Sequence, residues 1–266
     1  MIVANACYRS GFPVLSDSLY DKYIQKFAEK NPDNPFVNNV ESEVTSLGKT
    51  VSLPQKMLST DKAYSKEEIQ KWLERILKAA KELDIDTKEI EIRVTPKLDG
   101  YAAFDDGEKL YTRGDGIKGQ DVSRAFERGL KVARSGKRGL GAGEIVIDKN
   151  YFEEKLSQYF ENSRNIQAAI IAEKNVDPLV QQAINDGACV FYPFGLIDNW
   201  TGHYEDLIEG FEVIIDRIWN AVEYDVDGVI LETTDSRLKE YMGQLGSFIA
   251  GKLLSKLMKR LLKSRF

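Results

Sequence analysis

The stretch Ile90-Glu91-Ile92-Arg93-Val94-Thr95-Pro96-Lys97-Leu98-Asp99-Gly100-Tyr101-Ala102-Ala103-Phe104 decides how the chain reads. Ile90, Ile92 and Val94 alternate with charged or polar residues, the period of a strand buried on one face. Asp99-Gly100 supplies a turn, and Tyr101 to Phe104 and Leu110-Tyr111-Thr112 continue as short strands. Upstream the period is helical. Ser65 stands as an N-cap, Glu67 and Glu68 fill the first turn, and Trp72, Leu73, Ile76 and Leu77 recur at helical spacing to about Leu83. Downstream, Glu144 to Asp148, Ala188 to Tyr192 and Gly228 to Leu231 read as strands, with helices over Tyr151 to Phe160 and Leu207 to Val222. The first forty residues are also helical in pattern. Leu19, Tyr20, Tyr23, Ile24 and Phe27 follow Ser16 as N-cap, and Asn31-Pro32-Asp33-Asn34-Pro35 stops the helix. The expected architecture is α+β: a small N-terminal helical domain, then a domain of mostly antiparallel sheets flanked by helices.

The chain has 266 residues, 42% of them hydrophobic and 30% charged, enough to bury one large core or two small ones. A net charge of −5 argues against a surface that clamps nucleic acid everywhere. The charge is uneven, however. From Tyr241 to Phe266 there is no Asp or Glu, while Lys252, Lys256, Lys259, Arg260, Lys263 and Arg265 line an amphipathic helical pattern. Cys7 and Cys189 are too few for a disulfide framework. With His203 as the single histidine, a Cys/His zinc site and an HExxH helix are disfavoured; His203 itself, after Trp200-Thr201-Gly202, reads as a turn or surface residue. No signal peptide or membrane-spanning window is present, which points to the cytoplasm.

Lys97-Leu98-Asp99-Gly100 taken alone reads equally as a solvated lysine beside a hairpin turn. Thr112-Arg113-Gly114-Asp115-Gly116, followed by Gly119-Gln120-Asp121, is a glycine-rich loop that suits close approach to a phosphate or sugar, and also a decorated turn. Their order strengthens the chemical reading. K-x-D-G, the T-R-G-D-G run, Gly143-Glu144, Asp227-Gly228-Val229-Ile230 and Ala250-Gly251-Lys252 together resemble the covalent nucleotidyltransferase motifs of NAD-dependent DNA ligases. Met57-Leu58-Ser59-Thr60-Asp61 is similar to that family's M-L-S-L-D, and Phe160-Glu161-Asn162-Ser163-Arg164-Asn165 to its F-A-N-P-R-N. Leu15-Ser16-Asp17-Ser18-Leu19-Tyr20-Asp21 resembles the I-[SP]-D-x-x-Y-D signature of the family's helical domain, which grips the nicotinamide mononucleotide (NMN) half of NAD.

The resemblance implies an NMN-binding domain over residues 1–47 and an adenylation domain over 48–266. Lys97 is then the nucleophile that takes AMP from NAD. A free lysine amine is protonated at pH 7, and Lys252 and Arg113 are the cations implied to favour its neutral form and to steady the phosphate. Asp227 is implied among the carboxylates near ribose or metal, with Lys97 and Lys252 completing the catalytic set. Glu144 falls on the ribose, Phe194 on the adenine, and Arg164 on the mononucleotide or DNA side. Tyr8, Asp17, Tyr20, Asp21, Ser59, Thr60 and Asp99 complete the implied cofactor contacts. Magnesium is expected on the phosphates, with no protein metal cage. The implied partner is nicked double-stranded DNA, in replication and repair.

The sequence departs from the family pattern at four places: Thr95-Pro96-Lys97 replaces Glu-Leu-Lys, Cys7-Tyr8 replaces Tyr-His, Glu232 replaces a lysine, and Ala172 replaces an arginine. This suggests a divergent, phage- or virus-like member, acting in a host cytoplasm if viral. The family's OB-fold, zinc finger, helix-hairpin-helix and BRCT domains are not recognised, which leaves two expectations open: a separately encoded OB-fold subunit as partner, or a chain that is a fragment of a longer protein. Two other classes stay open: a catalytically degenerate nucleotide-binding scaffold, and an ATP- or GTP-using RNA ligase or capping-type enzyme.

Overall fold

The computed structural model describes residues 19, 23, 26–27, 30–31, 50–57, 61–63, 66–172, 175–243 and 247–250. In chain order the elements are β1 Thr50–Ser52, β2 Asp61–Ala63, α1 Lys66–Glu82, β3 Glu91–Leu98, β4 Tyr101–Asp105, β5 Leu110–Thr112, β6 Lys118–Gln120, α2 Arg124–Glu127, β7 Lys131–Val132, β8 Gly141–Ile147, α3 Lys149–Tyr151, α4 Ser163–Ile171, α5 Pro178–Asn185, β9 Cys189–Pro193, β10 Trp200–His203, α6 Tyr204–Glu209, α7 Phe211–Trp219, β11 Val226–Thr233, α8 Ser236–Met242 and β12 Ser247–Ala250. They fall into two compact units, one within Met1–Leu58 and Gly100–Leu196, the other within Ser59–Asp99 and Ile197–Phe266. The architecture is α+β, as the alternating and helical periods lead one to expect.

The unit within Ser59–Asp99 and Ile197–Phe266 is a five-stranded sheet in the order β10-β3-β11-β12-β2, antiparallel except for β12 against β2. Strand β3 alternates buried and half-exposed residues, so Ile92, Val94 and Leu98 enter the core. Helix α1 covers that face with Ile69, Trp72, Leu73, Ile76, Ala79 and Ala80, one stripe at helical spacing. Helix α7 adds Phe211, Ile214, Ile215 and Ile218. The helix expected over Leu207 to Val222 is two helices, α6 and α7, divided at Gly210. Gly210 donates its amide to Asp206 and at the same time opens α7 by accepting from Ile214 N; a Cβ there would stand 3.1 Å from the Asp206 carbonyl oxygen.

The other unit carries a five-stranded sheet ordered β5-β4-β8-β9-β7 and a β1–β6 pair. All pairings are antiparallel except β7 with β9. One face packs Ala103, Leu110, Ile145, Ile147 and Phe191 against Ile166 and Ile170 of α4 and Val180 and Ile184 of α5. The helix expected over Tyr151 to Phe160 is only α3 and a π turn through Phe152–Leu156. The Ser157 hydroxyl donates to the Glu153 carbonyl at 2.7 Å, a side-chain bond that competes with regular helix.

In the N-terminal segment, Leu19, Tyr23 and Phe27 are helical, and the Asn31 backbone and side-chain amides both donate to the Phe27 carbonyl, at 2.9 and 3.2 Å. Asn31, the first residue of the expected stop, therefore caps the helix, and residues 32–35 lie outside the described residues. The domain boundary expected at residue 47 lies outside the described residues. His203 is more than a surface turn. It ends β10 and caps α6, with Nδ1 accepting from Glu205 N at 3.4 Å and Nε2 3.1 Å from the Thr87 carbonyl oxygen, contacts that fit the Nε2–H tautomer. No helix among the described residues is long and apolar enough to cross a membrane.

Candidate active site

Strands β3 and β11 run antiparallel with Lys97 opposite Gly228, Thr95 opposite Ile230 and Arg93 opposite Glu232. Lys97 therefore shares a face with Thr95 and Arg93, away from the core residues Ile92, Val94 and Leu98. Strict alternation would turn Asp227 away from Gly228's face of β11. The register instead shifts between Val226 and Gly228, an irregularity that re-aims a side chain. As a result Lys97 Nζ donates to both carboxylate oxygens of Asp227 at 2.7 Å. Both side chains remain about 30% accessible, 31% for Lys97 and 28% for Asp227. Asp99 closes the same strand end, its amide donating to the Asp225 carbonyl at 2.8 Å.

Further along this face, Glu232 is bridged by two cations. Arg93 Nη1 lies 3.2 Å from Oε1 and Lys239 Nζ lies 2.9 Å from Oε2. The charge reversal seen in the sequence thus sits within a triad of two cations and one anion. Sequence reasoning singled out neither cation; the signal for Arg93 is that it shares the parity of Lys97 on β3, and Lys239, on helix α8, has none.

In the unit containing Gly100–Leu196, the glycine of K-x-D-G is required by packing. A Cβ on Gly100 would stand 2.7 Å from the Ile145 carbonyl oxygen and 2.9 Å from Glu144 Cβ, so only glycine lets β4 start against β8. The T-R-G-D-G loop has the same logic. Gly114 adopts φ +55°, and Cβ atoms on Gly114 and Gly119 would each fall 1.9 Å from a backbone oxygen across the hairpin, those of Lys118 and Thr112. Asp115 Oδ1 accepts from the amides of Lys118 and Ile117 at 2.7 and 2.8 Å, and these bonds hold its carboxyl below the ordinary value. Asp121 accepts from the Ser123 amide and hydroxyl, and the same hydroxyl accepts from Leu110 N. The run's glycines, aspartates and serine thus shape the hairpin that carries Arg113, whose own amide donates to the Ala102 carbonyl at 3.0 Å.

Glu144 is half-buried on β8, with Ala102 and Tyr192 as its strand partners on either side. Arg164 lies in the first turn of α4, whose N-cap Asn162 accepts from Asn165 N at 3.2 Å. The other end of α4 was missed by sequence reasoning. Arg124 donates to the Ile171 carbonyl at 3.0 Å, and Arg128 donates to the Ile170 and Ala172 carbonyls at 2.6 and 2.8 Å. Two cations on the negative end of the helix dipole anchor the helix that presents Arg164. Phe194, in a turn after β9, keeps 39% of its surface exposed, an aromatic ring open to stacking. Also missed was Asp105, fully buried and held by the Arg138 guanidinium at 2.8 Å and by the amides of Gly107 and Gly139.

Tyr8, Asp17, Tyr20, Asp21, Ser59, Thr60 and Lys252 lie outside the described residues, as does the basic helical pattern after Gly251. Among the described residues no group of three or more His, Cys, Asp or Glu side chains is placed to hold a metal ion.

A family model described as the NAD-dependent DNA ligase adenylation domain matches residues 47–214. The chain is 75% identical over 241 residues to a DNA ligase of Shewanella baltica, covering 91% of this chain and 37% of that protein. It is 60% identical to a DNA ligase of Psychromonas ingrahamii and 53% identical to one of Desulfotalea psychrophila, with 91% and 90% of this chain covered against 37% and 36% of theirs. It thus spans little more than a third of the length of these curated relatives. All three are bacterial, and they lend no support to the phage- or virus-like origin expected above. With its family model matched over more than half its length, the chain belongs to the NAD-dependent DNA ligase adenylation-domain family.

Proposed function

We propose that this chain performs the self-adenylation step of an NAD-dependent DNA ligase. The observation that carries the reading is the lysine of K-x-D-G, which sits at a strand end with a carboxylate on its Nζ, in a chain of this family. In the proposed step Nζ loses a proton, with Asp227 as the acceptor within reach, and attacks the α-phosphorus on the AMP side of NAD. The N–P bond forms, the P–O bond to the mononucleotide phosphate breaks, and NMN leaves with the electron pair. Lys97 is left carrying AMP.

Arg113 and Lys252 are proposed to balance the phosphate charge, Glu144 to hold the ribose, Phe194 to stack on adenine, and Arg164 to bind on the mononucleotide or DNA side. Asp99, Ser59 and Thr60 are proposed to line the nucleotide. Residues 1–47, with Tyr8, Asp17, Tyr20 and Asp21, are proposed to bind the NMN half. Magnesium supplies charge neutralisation at the phosphates when bound with the dinucleotide. The proposed acceptor of AMP is the 5′-phosphate at a nick in cytoplasmic duplex DNA. Because the chain spans 37% of the length of the Shewanella baltica ligase, sealing that nick is proposed to draw on further protein, in the same polypeptide or in an OB-fold subunit.

The test is intact-mass measurement after incubation of the 266-residue chain with NAD, ATP or GTP and magnesium. An AMP adduct from NAD that Lys97→Ala abolishes is the expected result. No adduct from any nucleotide identifies a scaffold, and an adduct from ATP or GTP alone identifies the other nucleotidyltransferase class.

A further inference from the structure

We infer that Glu232 determines which base the enzyme accepts, its carboxylate receiving a hydrogen bond from the exocyclic amino group of adenine. This rests on the proposed role of Lys97. Because β3 ends at Leu98, the sheet face beside Lys97 continues in one direction only, past Thr95 and Ile230 to Arg93 and Glu232. At about 3.4 Å per strand residue, the Thr95–Ile230 pair lies roughly 7 Å from Lys97 and the Arg93–Glu232 pair roughly 14 Å. On this reading, a nucleotide joined to Lys97 through its phosphate lays its ribose and then its base along this face. There Ile230 offers an apolar floor and Thr95 a small hydroxyl side chain, both half-buried.

Glu232 closes the far edge of that floor. Its side chain is 23% exposed, and Arg93 and Lys239 each hold one of its oxygens, which fixes the group without filling it, since each carboxylate oxygen accepts more than one hydrogen bond. An ionised carboxylate is an acceptor only. It therefore complements the 6-amino group of adenine and opposes the 6-keto oxygen of guanine or hypoxanthine. Glu232 thus acts as a selective acceptor on the face that carries the nucleophile.

The experiment compares the rate of lysine adduct formation from NAD with that from nicotinamide hypoxanthine dinucleotide, in which the amino group is replaced by a keto oxygen. It uses the full chain and reads the AMP and IMP adducts by intact mass. The wild type is expected to favour NAD by about ten- to a hundredfold, the usual range for losing a hydrogen bond to a charged group. In Glu232→Gln the amide accepts or donates according to its orientation, and the preference is expected to fall to within about threefold. A thermal melt of the variant checks that the bridge to Arg93 and Lys239 was not needed for folding, and Glu232→Asp, which keeps the acceptor, is expected to retain the preference for NAD. Equal use of both dinucleotides by the wild type, or an undiminished preference in folded Glu232→Gln, overturns this inference and leaves self-adenylation standing. No adduct from either dinucleotide in the wild type overturns self-adenylation, and this inference with it.

Discussion

Lys97 Nζ lies 2.7 Å from both carboxylate oxygens of Asp227, a residue 130 positions later in the chain. The irregularity that creates this contact sits between Val226 and Gly228, on the strand next to that of the lysine. The proposed attack from Nζ requires the contact to be given up or to take the proton. Asp227→Asn is therefore expected to slow adduct formation from NAD by about 10²- to 10⁴-fold. Its thermal midpoint should stay near that of the wild type, because both groups are partly accessible. A time course by intact mass checks this, and a wild-type rate in the variant removes Asp227 from the proton's path.

The hairpin carrying Arg113 is built on backbone geometry that a side chain at Gly114 cannot share. Gly114→Ala places a Cβ 1.9 Å from the Lys118 carbonyl oxygen at φ +55°. Overpacking of this kind costs about 1–3 kcal/mol, with positive φ adding strain. Urea denaturation should show the loss, while Gly195→Ala, whose Cβ meets nothing within 4 Å, should leave the midpoint unchanged.

Asp105 has no exposed surface and depends on Arg138, whose guanidinium also lies 3.8 Å from the centre of the Phe126 ring. Arg138→Ala strands a buried carboxylate, at a cost of about 3–5 kcal/mol. The double variant with Asp105→Asn should recover part of that loss in the same denaturation assay, and strict additivity would show that the two residues are not coupled.

Burial pushes the Cys189 thiol up to about 12. Its folded value is thus raised above the ordinary unfolded value of about 8.5, so the neutral thiol stabilises the fold fully below that pH. The contribution is lost as pH rises from about 8.5 towards 12. In a Cys7→Ser background, a thiol reagent at pH 8 should fail to label the native chain and label it readily in urea. Native labelling at the unfolded rate would contradict the burial.

Much of the framework was legible from local pattern. The alternation at Ile90, Ile92 and Val94 marked β3, and the stripe from Trp72 to Leu77 marked α1, because both periods are set by backbone geometry within a few residues. Where a nearby polar group or a glycine competes with the helix, pattern overran the structure: at Ser157, whose hydroxyl takes the Glu153 carbonyl, and at Gly210, where α6 hands over to α7.

By itself, then, the sequence determined the strand and helix periods, the glycines that hairpins and close strands demand, and the family that those motifs in that order signify. Only the tertiary structure decided which charges meet. Asp227 reaches Lys97 through a shift in strand register, Arg93 meets Glu232 across 139 residues, and Arg138 meets Asp105 across 33. Ion pairs depend on ångström distances, and distances between residues remote in the chain are fixed by register and packing, which no local period encodes.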